Sequence, residues 1–459
     1  ANDPELLHKI GQATAEEMQV IGAHMNFAPA VSVIRDKRWG RTYEGYSEDP
    51  ELVSKLGTSY IEGLREAGII ATAKHFIGDG YVEYGTGEGE NLIDRGNVVM
   101  PLEEMMAVYG PVYQSAIDAG VDAIMVSFSS VSGEKMHGNE SLLTTVLRDE
   151  MNFDGVVISD WEGIHALPGI LEDQVVKAVN AGIDLLMQPY NGEEVYNALI
   201  NAVRDGRITE ERIDEAVSRI LDMKRKAGLL DAEAETSEYK LGSDFAIATA
   251  REAVAKSQVL LKNEGVLPLT EDQRIYVMGP ASDNIGIQSG GWTLEWQGTM
   301  TEQFLWGDSI LDAFRQTSNS VVDSPMDADV IVLVIGEKPY AEMFGDTDDA
   351  SLSGPLSLDG NLEAAELAKT YGKPVVTLIV AGRPLEIEEH LNDWDALVMS
   401  FLPGTEALGI TDVLYGKVPF TGKLPITWPK ETSGFDITFK DSDREAEILF
   451  PLGYGLEIE

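Results

Sequence analysis

Short runs of β-branched and other apolar residues alternate with amphipathic stretches of helical period through the first half of the chain. "NFAPAVSV" (26–33), "GIIATAKHF" (68–76), "VDAIMVSF" (121–128), "GVVISD" (155–160) and "GIDLLMQP" (182–189) are the strand candidates, separated by segments such as "DPELVSKLGTSYIEGLREAG" and "LEEMMAVYGPVYQSAIDAG". Such alternation predicts a parallel sheet with crossover helices. Polar side chains gather where these strands end: Lys74 and His75, Ser127, Asp160, Gln188. In a (β/α) barrel that end is the catalytic face, because its loops converge on one cavity. A closed barrel needs eight strands and only five are visible, so the expected class is α/β with an incomplete, TIM-like (β/α) barrel.

The chain has 459 residues, more than one hydrophobic core supports, so two domains are expected. Residues 193–228 read as two helices around a "DGRIT" turn and close a first domain at 1–228. "LLDAEAETSEYKLGSD" (229–244) lacks apolar periodicity and reads as a solvated linker. From 245 to 459 a second unit begins with the helical stretch "FAIATAREAVAKSQVLLKN" and continues through the apolar runs "RIYVMGP", "DVIVLVIGE", "PVVTLIVAG" and "ALVMSFLPG". Continuous apolar runs with helices between them predict an α/β sandwich with a mostly parallel sheet covered on both faces. No GxGxxG or GxxxxGK[ST] follows any of these strands, so nothing supports a nucleotide site.

Charge excludes further classes. With 78 acidic and 34 basic side chains the formal net charge is -44, which repels nucleic acid and anionic lipid alike. Up to residue 230 there are 19 basic and 38 acidic residues, and 15 and 40 after it, so the excess covers the whole chain. It reads as a solvated surface suited to high salt. There are no cysteines, and the six histidines show no HExxH-like spacing, so neither thiol chemistry nor a metal centre is expected. No apolar stretch is long enough to span a bilayer. The opening "ANDPELLHKIG" has neither a basic n-region nor an apolar h-region, so any export signal has been removed or never existed; the expected location is extracellular or periplasmic. A homodimer is compatible with these totals.

An aspartate after a strand commonly caps the following helix. Asp160, however, shares its strand end with Lys74 and His75, and a cation, a donor and a carboxylate at one cavity mouth suit a polyhydroxylated ligand around a nucleophile. Seven segments then carry a resemblance in order along the chain: "RDKRWGRTYEGYSEDP" (35–50), "AKHFIGDG" (73–80), "VVISDWEGI" (156–164), "KSQVLLKNEGVLPL" (256–269), "GGWTLEWQG" (290–298), "GEKPYAEMFGD" (336–346) and "LPGTEALGITDVLYG" (402–416). Together they resemble glycoside hydrolase family 3, in particular its two-domain exo-acting β-glucan glucohydrolases and β-glucosidases. The resemblance implies hydrolysis without a cofactor, removing glucose from the non-reducing end of β-linked gluco-oligosaccharides with retention.

The resemblance implies Asp160 as nucleophile and Glu342 as acid/base. Arg41, Lys74, His75 and Asp79 would hydrogen-bond the terminal sugar, and Trp161 and Trp296 would clamp the next one between their indole faces. A retaining hydrolase needs one carboxyl ionised and the other protonated; the expectation is that Lys74 and Arg41 keep Asp160 charged, while apolar Tyr340, Met343 and Phe344 keep Glu342 neutral. Trp292 and Trp296, four apart, read either as one hydrophobic face or, after Gly-Gly, as a sugar-binding loop. Glu88, in "YGTGEGEN", reads as an assistant to the acid or as a solvated loop acid. Phe128 stands where relatives commonly carry a tyrosine, and Ala166 where the closest relatives carry an arginine, which implies a missing hydrogen bond to Asp160 and an altered outer subsite. Residue 1 falls just after a segment of the relatives that holds the first barrel strand and an aspartate gripping the sugar: the chain reads as a truncated or cleaved product, as an incomplete barrel, or as one whose missing segment is supplied elsewhere, and true absence would weaken glucose affinity. The competing readings are a β-N-acetylglucosaminidase or β-xylosidase on the same scaffold, and a carbohydrate-binding protein without turnover.

Overall fold

The computed structural model describes residues 2–89, 91–230, 239–301, 304 and 306–458. It divides into an N-terminal unit, Leu7–Ile34 with Glu44–Ser243, and a C-terminal unit, Asp244–Glu459 joined by Ala1–Leu6 and Arg35–Tyr43. Most of the expected linker, 231–238, lies outside the described residues.

The N-terminal unit contains helix α1 (Pro4–Val20) apart from its first three residues, then β1 (Met25–Asn26), α2 (Pro50–Glu66), β2 (Ile70–Phe76), β3 (Asn97–Val98), α3 (Leu102–Asp118), β4 (Ala123–Val126), β5 (Ser130–Val131), β6 (Glu134–Lys135), β7 (Val156–Ile158), α4 (Leu171–Ala181), α5 (Gly192–Arg204) and α6 (Glu210–Lys226). A further helix, Ser141–Glu150, is π-wound. The main sheet runs β1-β2-β4-β7, all parallel. β3, β5 and β6 form a separate small sheet. Helix starts follow local chemistry: the Asp49 carboxylate accepts the Glu51 N–H with Pro50 at the first helical position of α2, and Thr209 caps α6 by accepting the Arg212 N–H.

Two strand expectations shrink. Of 26–33 only Asn26 is in a strand, with Ala30 bridging Lys74, and of 182–189 only Leu185 pairs, bridging Ile158. Among the described residues four strands and these bridges make an open parallel sheet, and no closed barrel forms. Its chemistry is polarised along the strands. Ile70, Ala123 and Val156, the first residues of β2, β4 and β7, cluster with Met223 of α6 in an apolar plug. The opposite, C-terminal ends carry Lys74, His75 and Asp160, which is the end the crossover loops surround.

The C-terminal unit contains α7 (Asp244–Ser257), β8 (Val259–Asn263), β9 (Ile275–Met278), α8 (Ile285–Ser289), α9 (Ile310–Thr317), β10 (Val330–Gly336), α10 (Asn361–Thr370), β11 (Val375–Val380), β12 (Ala396–Met399), α11 (Leu408–Leu414), β13 (Trp428–Pro429) and β14 (Ile448–Phe450). The five-stranded sheet has the order β8-β12-β11-β10-β9, parallel except for β8 against β12. Its strands are apolar on both faces because both are covered. Val332, Val334, Leu378 and Val398 face Ile310, Phe314 and Ile410 of α9 and α11; Ile331, Leu333, Ile335 and Leu397 face Ala365 and Ala368 of α10. Each such fully buried aliphatic side chain contributes about 1.5–3 kcal/mol.

The expected helix over 245–263 is corrected here. It stops at Ser257, and "VLLKN" becomes β8, with Leu260 on one face of the sheet and Val259 and Leu261 on the other.

Candidate active site

At the C-terminal ends of β2, β4 and β7, side chains converge on Asp160. The pairing of β2 with β4 shifts register between Lys74 and Phe76, leaving His75 out of the ladder, and an irregularity of that kind re-aims the side chain it carries. His75 Nδ1 lies 2.6 Å from Asp79 Oδ2, and its Nε2 lies 3.5 Å from Asp160 Oδ2. The Asp79 carboxylate fixes the imidazole proton on Nδ1 and turns Nε2 toward Asp160. Both Asp79 oxygens are engaged, since Oδ1 accepts from Ser127 Oγ and, at 3.4 Å, from Ser129 Oγ. In this arrangement Asp79 orients the ring.

Asp160 is 8% exposed. Its Oδ1 accepts the Trp161 N–H at 2.6 Å, and its own N–H donates to His137 Nε2 at 3.0 Å. The carbonyl accepts from Ser159 Oγ at 2.9 Å and from the Gly163 N–H at 3.0 Å. Backbone and one oxygen are thus fixed, while the buried Oδ2 has no hydrogen-bond partner among the described residues. Beside it the Trp161 indole is half exposed, with Tyr190 edge-on at 5.8 Å. A buried carboxylate oxygen with open lone pairs, next to an exposed indole, is poised to act on a ligand.

Glu342 sits in the C-terminal unit after β10, in a tight turn, Glu342–Gly345, entered with a left-handed φ of 53°. It is 7% exposed, and Arg41 Nη1 lies 3.6 Å from its Oε1. Arg41 belongs to the segment 35–43 that packs in the unit of Glu342. Gly40 is required for this approach: a Cβ there would lie 1.9 Å from the Glu342 carbonyl oxygen. The Gly40 N–H donates to Asp346 Oδ1 at 2.9 Å and Tyr43 Oη donates to the Tyr340 carbonyl at 2.8 Å.

The fully buried Arg383 ties these pieces together. Its guanidinium donates to the carbonyls of Lys37 at 3.2 Å, of Arg38 at 3.0 Å and of Gly345, and its Nε donates to Tyr340 Oη at 2.9 Å. Tyr340 Oη in turn donates to Glu337 Oε2 at 2.8 Å. Burial pushes the Glu337 carboxyl above its usual range, with Arg383 opposing. The loop 290–298 packs alongside: the Gln297 side-chain Oε1 accepts the Ala341 N–H at 2.9 Å, Trp296 meets Phe344 edge-on at 5.7 Å, and Trp292 lies 6.5 Å from Trp296. All three rings are roughly half exposed, the solvent-facing pattern of a loop rather than of one buried face.

Lys74 is half-buried at the end of β2 and its backbone pairs with Pro29 and Val31. Glu88 is an exposed acid 3.5 Å from Lys135 Nζ. Phe128 lies under the Arg95 guanidinium at 4.0 Å. Glu366, His390 and Asp393 bring donor atoms within 4.8 Å of one another, and Lys369 Nζ already donates to both carboxylates, to Glu366 at 2.7 Å and to Asp393 at 3.3 Å. Sequence reasoning missed His137, Gly40 and Arg383. Only Arg383 left a signal, a cation directly after the apolar run 374–382, the same signal that pointed to Asp160.

Residues 1–223 match the family model described as the glycosyl hydrolase family 3 N terminal domain, and residues 258–458 that of the family's C-terminal domain. Lysosomal beta glucosidase of Dictyostelium discoideum is 30% identical over 97% of this chain and 59% of its own length. Periplasmic beta-glucosidase of Salmonella typhimurium is 27% identical over 98% of this chain and 67% of its own. Among solved structures, an exo-1,3/1,4-beta-glucanase from a Pseudoalteromonas species superposes with a TM-score of 0.92 at 37% identity, covering 99% of this chain and 60% of that one. A beta-glucosidase from Listeria innocua in complex with glucose gives 0.88 at 28% identity, covering 99% and 68%. The chain thus spans about 60–70% of the length of these relatives.

Proposed function

The chain belongs to glycosyl hydrolase family 3, and from that premise we propose that it is a retaining, exo-acting β-glucosidase or β-glucan glucohydrolase, releasing glucose from the non-reducing end of β-linked gluco-oligosaccharides. The observation that carries the reading is Asp160: a nearly buried carboxylate whose peptide and Oδ1 are held and whose Oδ2 has no hydrogen-bond partner among the described residues. In the first step Asp160 Oδ2 bonds to the anomeric carbon as the glycosidic bond breaks, and Glu342 gives its proton to the departing oxygen. In the second, Glu342 takes a proton from water, which attacks the same carbon and frees Asp160. Lys74 and Arg41 donate to sugar hydroxyls, and His75, oriented by Asp79, accepts from one through Nε2. The exposed indoles of Trp161, Trp292 and Trp296 offer flat apolar faces to the C–H faces of sugars. The names of the relatives point to a location outside the cytosol. A homodimer, if formed, sediments at twice the mass of one chain.

Azide separates the two carboxyl roles. With p-nitrophenyl β-glucoside, Asp160→Ala is expected to lower kcat by about 10⁴-fold or more; azide then restores turnover from the vacated face, yielding α-glucosyl azide. Glu342→Ala with azide is expected to yield β-glucosyl azide, because azide intercepts the glycosyl-enzyme. Full turnover by Asp160→Ala without azide would remove Asp160 as nucleophile. A wild type that binds glucose yet hydrolyses nothing would make the protein a carbohydrate binder.

A further inference from the structure

His137 takes no part in these steps, yet its ring holds the backbone that carries Asp160. It is fully buried in the turn Met136–Gly138 after β6. Because Nε2 accepts the Asp160 N–H at 3.0 Å, that nitrogen is unprotonated and the single ring proton sits on Nδ1. Nδ1 is itself buried and has no hydrogen-bond partner among the described residues. Leaving a buried donor unsatisfied costs about 1–3 kcal/mol. A histidine serving only the core gains nothing from that cost, since a phenyl ring fills similar space without it. What the imidazole supplies and a phenyl does not is the lone pair on Nε2.

The surroundings are shaped to keep that lone pair in place. Gly163 lies against the ring, and a Cβ there would come within 2.1 Å of Nε2, so no other residue admits the imidazole. Phe128 packs at 5.6 Å between ring centroids. With the acceptor gone, the Asp160 N–H is either left unsatisfied or finds a new partner by rotating its peptide, and the carboxylate turns with it. A displacement of about 1 Å at a reacting group costs on the order of 100-fold in rate.

We infer that His137 is a positioning residue for the attacking carboxylate: its neutral ring, through the one Nε2···H–N bond, sets the Asp160 peptide so that Oδ2 stays aimed at the anomeric carbon. The inference rests on the reading of Asp160 as nucleophile.

A fluorinated trap tests the two separately. 2,4-Dinitrophenyl 2-deoxy-2-fluoro-β-glucoside forms the covalent intermediate faster than water clears it, so peptide mapping of the labelled wild type locates the nucleophile. A label on Asp160 keeps that reading; a label elsewhere ends both. With Asp160 labelled, His137→Phe is expected to lower the first-order inactivation constant about 10–100-fold, with the inhibition constant for glucose within about twofold of wild type. His137→Gln, whose amide oxygen reaches near the Nε2 position, is expected to recover most of that loss. Inactivation at the wild-type rate in His137→Phe overturns the inference, as does equal loss in the Phe and Gln variants. Should His137→Phe fail to fold, His137→Asn replaces it, its amide being too short to reach the Asp160 N–H; inactivation as fast as in His137→Gln would then overturn it.

Discussion

Protonation of His137 at Nε2 and acceptance of the Asp160 N–H use the same lone pair and exclude one another. Burial pushes the ring pKa down from 6.5 to about 4; Asp160 opposes the shift, while Lys135 and His75 reinforce it. In the unfolded chain the ring titrates near 6.5. Between these values the unfolded state binds the extra proton, so stability is lost as pH falls from about 6.5 toward 4 and the loss levels off below that. The expected contribution is up to about 3 kcal/mol. Urea unfolding of wild type and His137→Gln across that window reads it as a difference: wild type falls relative to the variant on acidification, and a pH-independent difference would refute the assignment. Glu342, in the C-terminal unit, bears a cost of another kind. A left-handed φ on a non-glycine residue costs of order 1 kcal/mol or more, and the turn is held there by Arg41, by Gly40 against its carbonyl, and by Arg383 on Gly345.

At the scale of elements, the N-terminal unit joins three of its parts through one buried acid. Asp184 has no exposed side-chain surface; it accepts from Arg148 of the π-wound helix, from Arg212 and Arg219 of α6, and from the Val157 N–H of β7. Burial lowers the pKa of Arg148 to about 10, with Asp184 opposing. Asp184→Asn leaves three guanidiniums facing one another without their counter-charge and is expected to destabilise the protein by about 3–5 kcal/mol in urea unfolding. Asp222→Asn, which breaks exposed pairs with Arg225 and Lys226, is the control, expected to leave the unfolding midpoint where wild type has it, because solvent screens those pairs. The elements themselves were legible where periodicity was long. β2, β10, β11 and the helices α2, α3, α5 and α6 fall where hydrophobic runs place them. The run 256–263 did not, because three apolar residues fit a helix end as well as a short strand, and only its place beside β12 decides. Asp160 and His75 were legible because a polar group ending a buried strand stands out. Without the family resemblance Glu342 was not, since its turn is built by Gly40, Arg41 and Arg383 from distant parts of the chain.

For the whole molecule the dominant quantity is charge. An excess of 44 negative charges, spread over both halves of the sequence, raises the free energy of the compact state more than that of the expanded chain, because folding brings the charges closer together. Added salt shortens the screening length from about 30 Å at 0.01 M to about 3 Å at 1 M and removes most of that repulsion. The exposed ion pairs weaken too, but each is worth at most about 1 kcal/mol, and with 78 acids against 34 bases most carboxylates have no cation to lose. The net effect is stabilising, and Tm is expected to rise by about 3 °C or more between roughly 0.02 and 1 M NaCl at pH 7. Salt also acts on apolar surfaces irrespective of charge, so the measurement is repeated at pH 5, where part of the carboxylates take up protons. If repulsion is the cause, the increment shrinks there; an increment equal at both pH values, or no rise at pH 7, would show that the surface charge does not govern stability.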